Sequence, residues 1–486
     1  MRGKEIIYTV RNFLEISMRF IRIFLSILTL AAIACGSATP VPASTAPASD
    51  PNQPPASTPE PFSTEPAITE TLSPTGTMIP AGVIFVDTLE QESYPYLDND
   101  KCSLAEAIIA ANAGKPQDSC SAGVPGESVI ELAPGEYRFT QRDTSPPQFE
   151  WTPSFREVGS ALPPVVYPLV IRGNGATLLR EEGSEPFRFF ELMVNSKLTL
   201  ENITLQNGDA GEDWGGAIYA MSAVLNLNDA RFVNNRSENG GAIYLDLGAV
   251  NMSNSEFIGN HSLQNGGGLS GSSSRVNIQS TRFESNTSDG NGGALHVDFV
   301  NLAIVGSFFF QNRVTGDGLG SRGGGIYANH VNLSITDSQF YQNEAPAYGG
   351  AISVNNPQLA GIDPEDGDPM EPLTQSPMVT DFMTSIPGFQ ATLEAHPSGI
   401  FVEFHEDTQI HNNCFANNLT HFPGDPNWTS GLLGRASVAD GNYWGDPSGP
   451  GGIGPGSGDQ VGKRLTFAPF LTQAPAHCDP TLSEKK

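Results

Sequence analysis

An internal repeat between Trp214 and Asn356 limits this chain to very few folds. Gly-Gly-Ala-Ile begins at Gly215, Gly240 and Gly349, with close variants at Gly266, Gly292 and Gly323. These starts lie 25, 26, 26, 31 and 26 residues apart. A second signature, Phe-x-x-Asn, falls at Phe232/Asn235, Phe257/Asn260, Phe283/Asn286, Phe309/Asn312 and Phe340/Asn343, each Phe 17 positions after the first Gly of its repeat. A fixed inner spacing within a period in the mid-twenties marks a solenoid, whose units bury their apolar faces only by stacking on one another.

Before each Phe, apolar residues stand at minus seven and minus five: Leu225/Leu227, Val250/Met252, Val276/Ile278, Leu302/Ile304 and Leu333/Ile335. The residue at minus two is small, as at Ala230, Ser255 and Thr281. This alternation has period two, so the repeats are strands with one buried face, and Gly and Asn punctuate the bends. One repeat has room for three short strands and three bends. The expected fold is all-β, a single-stranded right-handed parallel β-helix with coils one strand spacing apart, about 4.8 Å.

The paired GGA[ILV] and FxxN signatures resemble the repeats of polymorphic outer membrane proteins, within the broader class of pectin-lyase-like β-helices. The resemblance is clear from Leu198 to Asn356 and looser on either side. It implies a fold rather than a function, since this scaffold carries lyases, hydrolases, adhesins and passive surface proteins alike.

The flanks suggest display outside the cell. Arg19 and Arg22 precede an apolar run, Ile23 to Ala34, too short for a transmembrane helix and ending in small residues before Cys35. Cys35 at that boundary resembles a bacterial lipobox, with Ala32 where Leu usually stands, and implies a lipidated first residue of the mature protein. Translation from Met18 would give a more typical signal. The stretch that follows, rich in Pro, Ser and Thr, reads as a disordered tether. The expected organisation is a lipoprotein-type signal peptide (1–34), the tether (35–82), an N-terminal cap with the first coil (83–142), repeats (143–356), an inserted loop (357–398) and a last coil with a C-terminal cap (399–480).

Cys102-Ser-Leu-Ala-Glu-Ala-Ile-Ile reads as the start of a short helix, with Ser103 as N-cap and Glu106 completing a capping box. The stretch resembles the CSLREA motif that precedes many bacterial β-helices, with Ala105 in place of its Arg. Its expected job is to plug the open N-terminal end of the apolar barrel. Four cysteines remain besides Cys35. The two ends of a solenoid cannot touch, so the expected bridges are Cys102–Cys120 and Cys414–Cys478. Both imply an oxidising, extracytoplasmic place.

The repeat breaks after Gly349. The Phe expected at position 366 arrives as Phe415, 49 residues late, with Thr408 and Ile410 in the minus-seven and minus-five places. An acidic run at Asp363–Asp368 lacks the complete EF-hand pattern and reads as a solvated loop. Tyr443 and Trp444 are expected to cover the last coil.

The net charge of −28, with no basic cluster in the repeats, speaks against nucleic-acid binding. The paired Asp, His and basic residues of the pectinolytic hydrolases are not visible as Gly-His-Gly or Arg-x-Lys elements, and no zinc or Ser-His-Asp motif is present. No cofactor or metal is expected, and a monomer is. One regularity suggests a ligand. Positions plus four and plus six of each repeat must point outward, which exposes Tyr244, Asp246, His296, Asp298, Tyr327 and Asn329 on one face. Aromatic rings beside carboxylates and amides suit sugar rings, although Tyr on an open strand face also simply stacks on its neighbours. The Arg313–Arg322 turn, five residues longer than its siblings, could add cationic contacts. The expected function is non-catalytic binding of a polysaccharide or another surface. A polysaccharide lyase or glycoside hydrolase, or a purely structural spacer, are the alternatives.

Overall fold

In the computed structural model the chain divides into residues 1–76 and 77–486. The structure describes residues 82–96, 98–144, 158–316, 321–355, 408–420, 432–433, 437–461, 465–479 and 481–482. The signal sequence, Cys35, the tether up to residue 81 and the insertion at 357–398 lie outside the described residues.

The repeats form a parallel β-helix in which equivalent segments pair coil to coil. Ile243–Asp246 lies between Ile218–Met221 and Leu269–Ser272, Ala249–Ser253 between Val224–Asn228 and Arg275–Gln279, and Glu256–Ile258 between Arg231–Val233 and Arg282–Glu284. Each coil carries four strand segments rather than three. The residues after the Phe-x-x-Asn signature pair as well, from Arg236–Asn239 to Leu419–Thr420, and build a separate six-stranded sheet. A coil of this length reaches that extra side because its corners consume one residue each. Ser222, Asp229 and Asn234 sit at φ 52°, 52° and 53°, and their counterparts Leu247, Asn254 and Gly259 repeat the pattern. The left-handed conformation at a single residue turns the chain without a loop.

The Gly-Gly pair makes the fourth corner. Gly240 has φ 66°, and a Cβ there would lie 2.1 Å from the Ile243 carbonyl oxygen. A Cβ on Gly241 would lie 2.1 Å from the Gly267 oxygen of the next coil. The first glycine is therefore needed for its dihedral, the second for the closeness of the neighbouring coil.

Two internal stacks run the length of the repeats. The signature phenylalanines are fully buried and stack face on face, Phe257 on Phe283 at 4.9 Å and Phe309 on Phe340 at 4.7 Å. Beside them the signature asparagines form a ladder. Asn260 Nδ2 donates to Asn286 Oδ1 (2.9 Å), and Asn286 Nδ2 donates to Asn312 Oδ1 (2.9 Å). The chain re-enters this register after the insertion, with Leu333 opposite Thr408 and Phe340 opposite Phe415.

Both ends are closed. Helix α1, Leu104–Ala113, is the one helix among the described residues. The capping box is formed, and Gly114 ends the helix at φ 62°. Nearly all of α1 is buried against the strands Val83–Phe85 and Ser128–Glu131, as a plug on the barrel mouth requires. Its Glu106 is also buried. That burial, with a smaller contribution from nearby Glu92, raises its carboxyl to about 7. At the far end Trp444, fully buried, stacks on Phe415 at 4.7 Å and closes the Phe column. Asp459 closes the amide ladder by accepting from Asn418 Nδ2 at 2.7 Å. The bridges Cys102–Cys120 and Cys414–Cys478 are both formed. The second ties the C-terminal segment across the outside of the last coils, where Asp479 N donates to Gln339 Oε1.

Candidate ligand-binding faces

Two outward faces of the helix bear on ligand binding. The first holds the six residues singled out by the repeat. Strand pairing puts them in two rows. Tyr219, Tyr244, Ser270, His296, Tyr327 and Ser353 form one, and Met221, Asp246, Ser272, Asp298, Asn329 and Asn355 the other. His296/Asp298 and Tyr327/Asn329 are on adjacent coils, whereas Tyr244/Asp246 are separated from them by the serine coil.

This face is less open than alternation predicts. Tyr219 is 2% exposed, Ser270 5% and Ser353 1%, while all six candidates are half-buried. The rings contact one another as well as the surroundings. Tyr219 and Tyr244 stack at 5.8 Å, Trp214 leans on Tyr244 at 4.4 Å, and His296 stacks on Tyr327 at 5.4 Å. The Arg188 guanidinium lies 5.5 Å over Tyr219 and is itself held by Asp213 at 2.8 Å. Desolvation lowers His296 to about 4, leaving a neutral imidazole at pH 7. Desolvation also raises the carboxyl of Asp298, which accepts from Asn329 Nδ2 at 2.8 Å. The two arginines of the long turn are engaged: Arg313 pairs with Glu344 at 3.3 Å, and Arg322 lies over the Tyr348 ring at 4.9 Å. Residues 317–320 of that turn lie outside the described residues.

The second face is the adjacent one, formed by the strands that carry the minus-seven and minus-five residues. Its outward positions read Thr199, Asn226, Asn251, Asn277, Ala303 and Ser334 along the axis. The amides form an external ladder. Asn226 Nδ2 donates to Thr199 Oγ1 (3.2 Å), Asn251 Nδ2 to Asn226 Oδ1 (2.9 Å) and Asn277 Nδ2 to Asn251 Oδ1 (2.8 Å). A primary amide has two N–H donors and two acceptor lone pairs. The ladder uses one of each at Asn251, so a donor and an acceptor of that residue remain directed at solvent. Two shallow grooves of about 290 Å³ and 260 Å³ follow this face and share Asn277. The repeat positions after Gly-Gly carry no sign of this face; its signal lies in the residues between the apolar pair, where Asn226, Asn251 and Asn277 alternate with Leu225/Leu227, Val250/Met252 and Val276/Ile278.

Residues 229–246 and 280–298 match the model of the Chlamydia polymorphic membrane protein (Chlamydia_PMP) repeat. Each matched segment spans one Phe-x-x-Asn signature and the Gly-Gly corner that follows. The chain carries polymorphic-membrane-protein-type repeats. No curated protein and no solved structure matches it. The repeats account for the Phe stack, the internal Asn ladder and the Gly-Gly corner. Of the outward amides, Asn251 and Asn277 fall between the two matched segments and Asn226 precedes the first.

Proposed function

We propose that this is a cell-surface protein that binds polysaccharide without catalysis, displayed through lipid on Cys35 and the Pro-rich tether. Repeats of the polymorphic membrane protein type imply a β-helix at the cell surface or outer membrane. The observation that carries the binding reading is the external ladder at Asn226, Asn251 and Asn277. It offers spare donors and acceptors at a regular spacing of about 4.8 Å, along two shallow grooves. A polymer of hydroxyl-bearing rings can match such a row repeatedly, and many weak contacts on one chain add through effective concentration. Besides Met252, Leu302, Ala303 and Leu333, the grooves are lined by amides, hydroxyls and one arginine, groups that hydrogen-bond sugars rather than exchange protons with them.

The test is a glycan array probed with the full chain, read with an assay for new reducing ends and unsaturated products on the same glycans. Binding without turnover, weakened by Asn251→Ala with Asn277→Ala, is the expected result. Tyr244→Ala with Tyr327→Ala, run alongside, reads any contribution of the aromatic face with its Asp246, His296, Asp298 and Asn329. Turnover would assign a lyase or hydrolase instead, and silence across the array would leave a structural spacer. Display is tested separately: Cys35→Ser should abolish fatty-acid labelling and release the protein from membranes, and unchanged retention would refute the anchor.

A further inference from the structure

The amide face has an electrostatic edge. Of the six repeat arginines, Arg231, Arg236, Arg282 and Arg313 pair with Glu256, Asp209, Glu284 and Glu344, and Arg322 lies over Tyr348. Arg275 differs. It is exposed, and among the described residues it has neither a carboxylate nor a ring partner. It lines the second groove beside Asn277 and Asn301. Coil-to-coil pairing puts Arg275 in one row with Ala249, Val224 and Lys197. Lys197 is likewise exposed and without a carboxylate partner among the described residues. The two cations therefore mark the same edge of the amide face, three coils and about 14 Å apart at one strand spacing per coil. Glu201, on the Lys197 strand, is already bonded to Arg172 at 3.1 Å. Asp229 and Asp337 sit at the corner on the opposite edge. Asp246 and Asp298 border the near corner from the aromatic face, and both are engaged, Asp298 with Asn329 Nδ2 at 2.8 Å and with His330.

A chain of net charge −28 repels polyanions at a distance. Two unpartnered cations on an uncharged amide surface are therefore a local exception, set where a ligand would lie. Guanidinium binds a carboxylate in a bidentate fork, and the ladder amides bind neutral hydroxyls. We propose that this face selects a carboxylated polysaccharide, with Arg275 and Lys197 holding acid groups along its cationic edge and Asn226, Asn251 and Asn277 holding the hydroxyls between them. This rests on the polysaccharide-binding reading and specifies its ligand class.

The experiment measures binding of the full chain to alginate and to dextran, one carboxylated and one neutral, across a salt series. Alginate should bind more tightly than dextran and weaken with salt. Arg275→Gln and Lys197→Gln should each weaken alginate by about tenfold, the scale of a charge-assisted hydrogen bond, and leave dextran unchanged. Asn251→Ala should weaken both polymers. Both cations are exposed, so unchanged thermal melts are expected for their variants. Equal binding of the two polymers, or alginate binding indifferent to both charge substitutions, would overturn the selectivity and leave polysaccharide binding standing. Binding to neither polymer would overturn both.

Discussion

The internal asparagine ladder yields the sharpest quantitative prediction, and Asn286 is its central rung. The side chain makes four hydrogen bonds. Its Nδ2 donates to the Phe257 carbonyl (2.8 Å) and to Asn312 Oδ1 (2.9 Å), and its Oδ1 accepts from Asn260 N (3.0 Å) and Asn260 Nδ2 (2.9 Å). Asn286→Ala removes all four. Two N–H groups of Asn260, itself fully buried, then have no acceptor and no water. At about 1–3 kcal/mol for each stranded buried group, the loss should be roughly 2–6 kcal/mol. Asn286→Asp should be no milder at neutral pH. The carboxylate keeps the two acceptor roles but cannot donate, and it sets a buried charge against the Phe257 carbonyl and Asn312 Oδ1. Asp459→Asn gives the contrast. Asp459 caps the last rung and is asked by the ladder only to accept, from Asn418 N at 3.2 Å and Asn418 Nδ2 at 2.7 Å, which an amide oxygen can also do. Its loss should be well under half of that for Asn286→Ala. The assay is urea unfolding of the full chain followed by far-ultraviolet circular dichroism. An Asn286→Ala midpoint equal to the parent's, or equal damage from Asp459→Asn, would refute the claim that the ladder stabilises through satisfied buried amides.

The remaining predictions concern the ends and the buried titratable groups. Trp444→Ala should cost about 3–5 kcal/mol by uncovering the end of the Phe column, and thermal melts that leave it within about 1 kcal/mol of the parent, the centre of the ordinary point-mutant range, would reject the capping role. His296, lowered to about 4, contributes stability above its ordinary 6.5 that is lost as pH falls from there toward 4; stability profiles of His296→Gln should lack that slope. Glu106, raised to about 7, acts in the opposite sense. Its contribution is present below its ordinary 4.5 and declines as pH rises through 7, so Glu106→Gln should flatten the profile across that window. Replacing Cys102 and Cys120 together by Ser should lower stability by about 2–4 kcal/mol through the freed unfolded chain, and an unchanged midpoint would show that α1 holds its place without the bridge.

The sequence alone determined the scaffold, because stacking turns chemistry into periodicity. A residue that must meet its own counterpart in the next coil recurs at the coil length. Phe257 finds Phe283, Asn260 finds Asn286, and Gly240 finds the conformation that only its position demands, so all three could be read from spacing. Capping was legible for a similar reason: Ser103 and Glu106 are three residues apart, and the interaction is local. The number of strand segments was not, since Arg236–Asn239 pairs only with another coil and has no alternation of its own to announce it. Nor was the accessibility of the outer faces. Alternation says that Tyr244, His296 and Tyr327 point away from the barrel, and they do. How much solvent they meet depends on what packs over them, as Trp214 does on Tyr244, and no periodicity encodes that. The pairing of charges is tertiary in the same way. Arg231 and Arg275 are both arginines on outward strand positions, and only the coil register gives the first Glu256 and leaves the second beside amides.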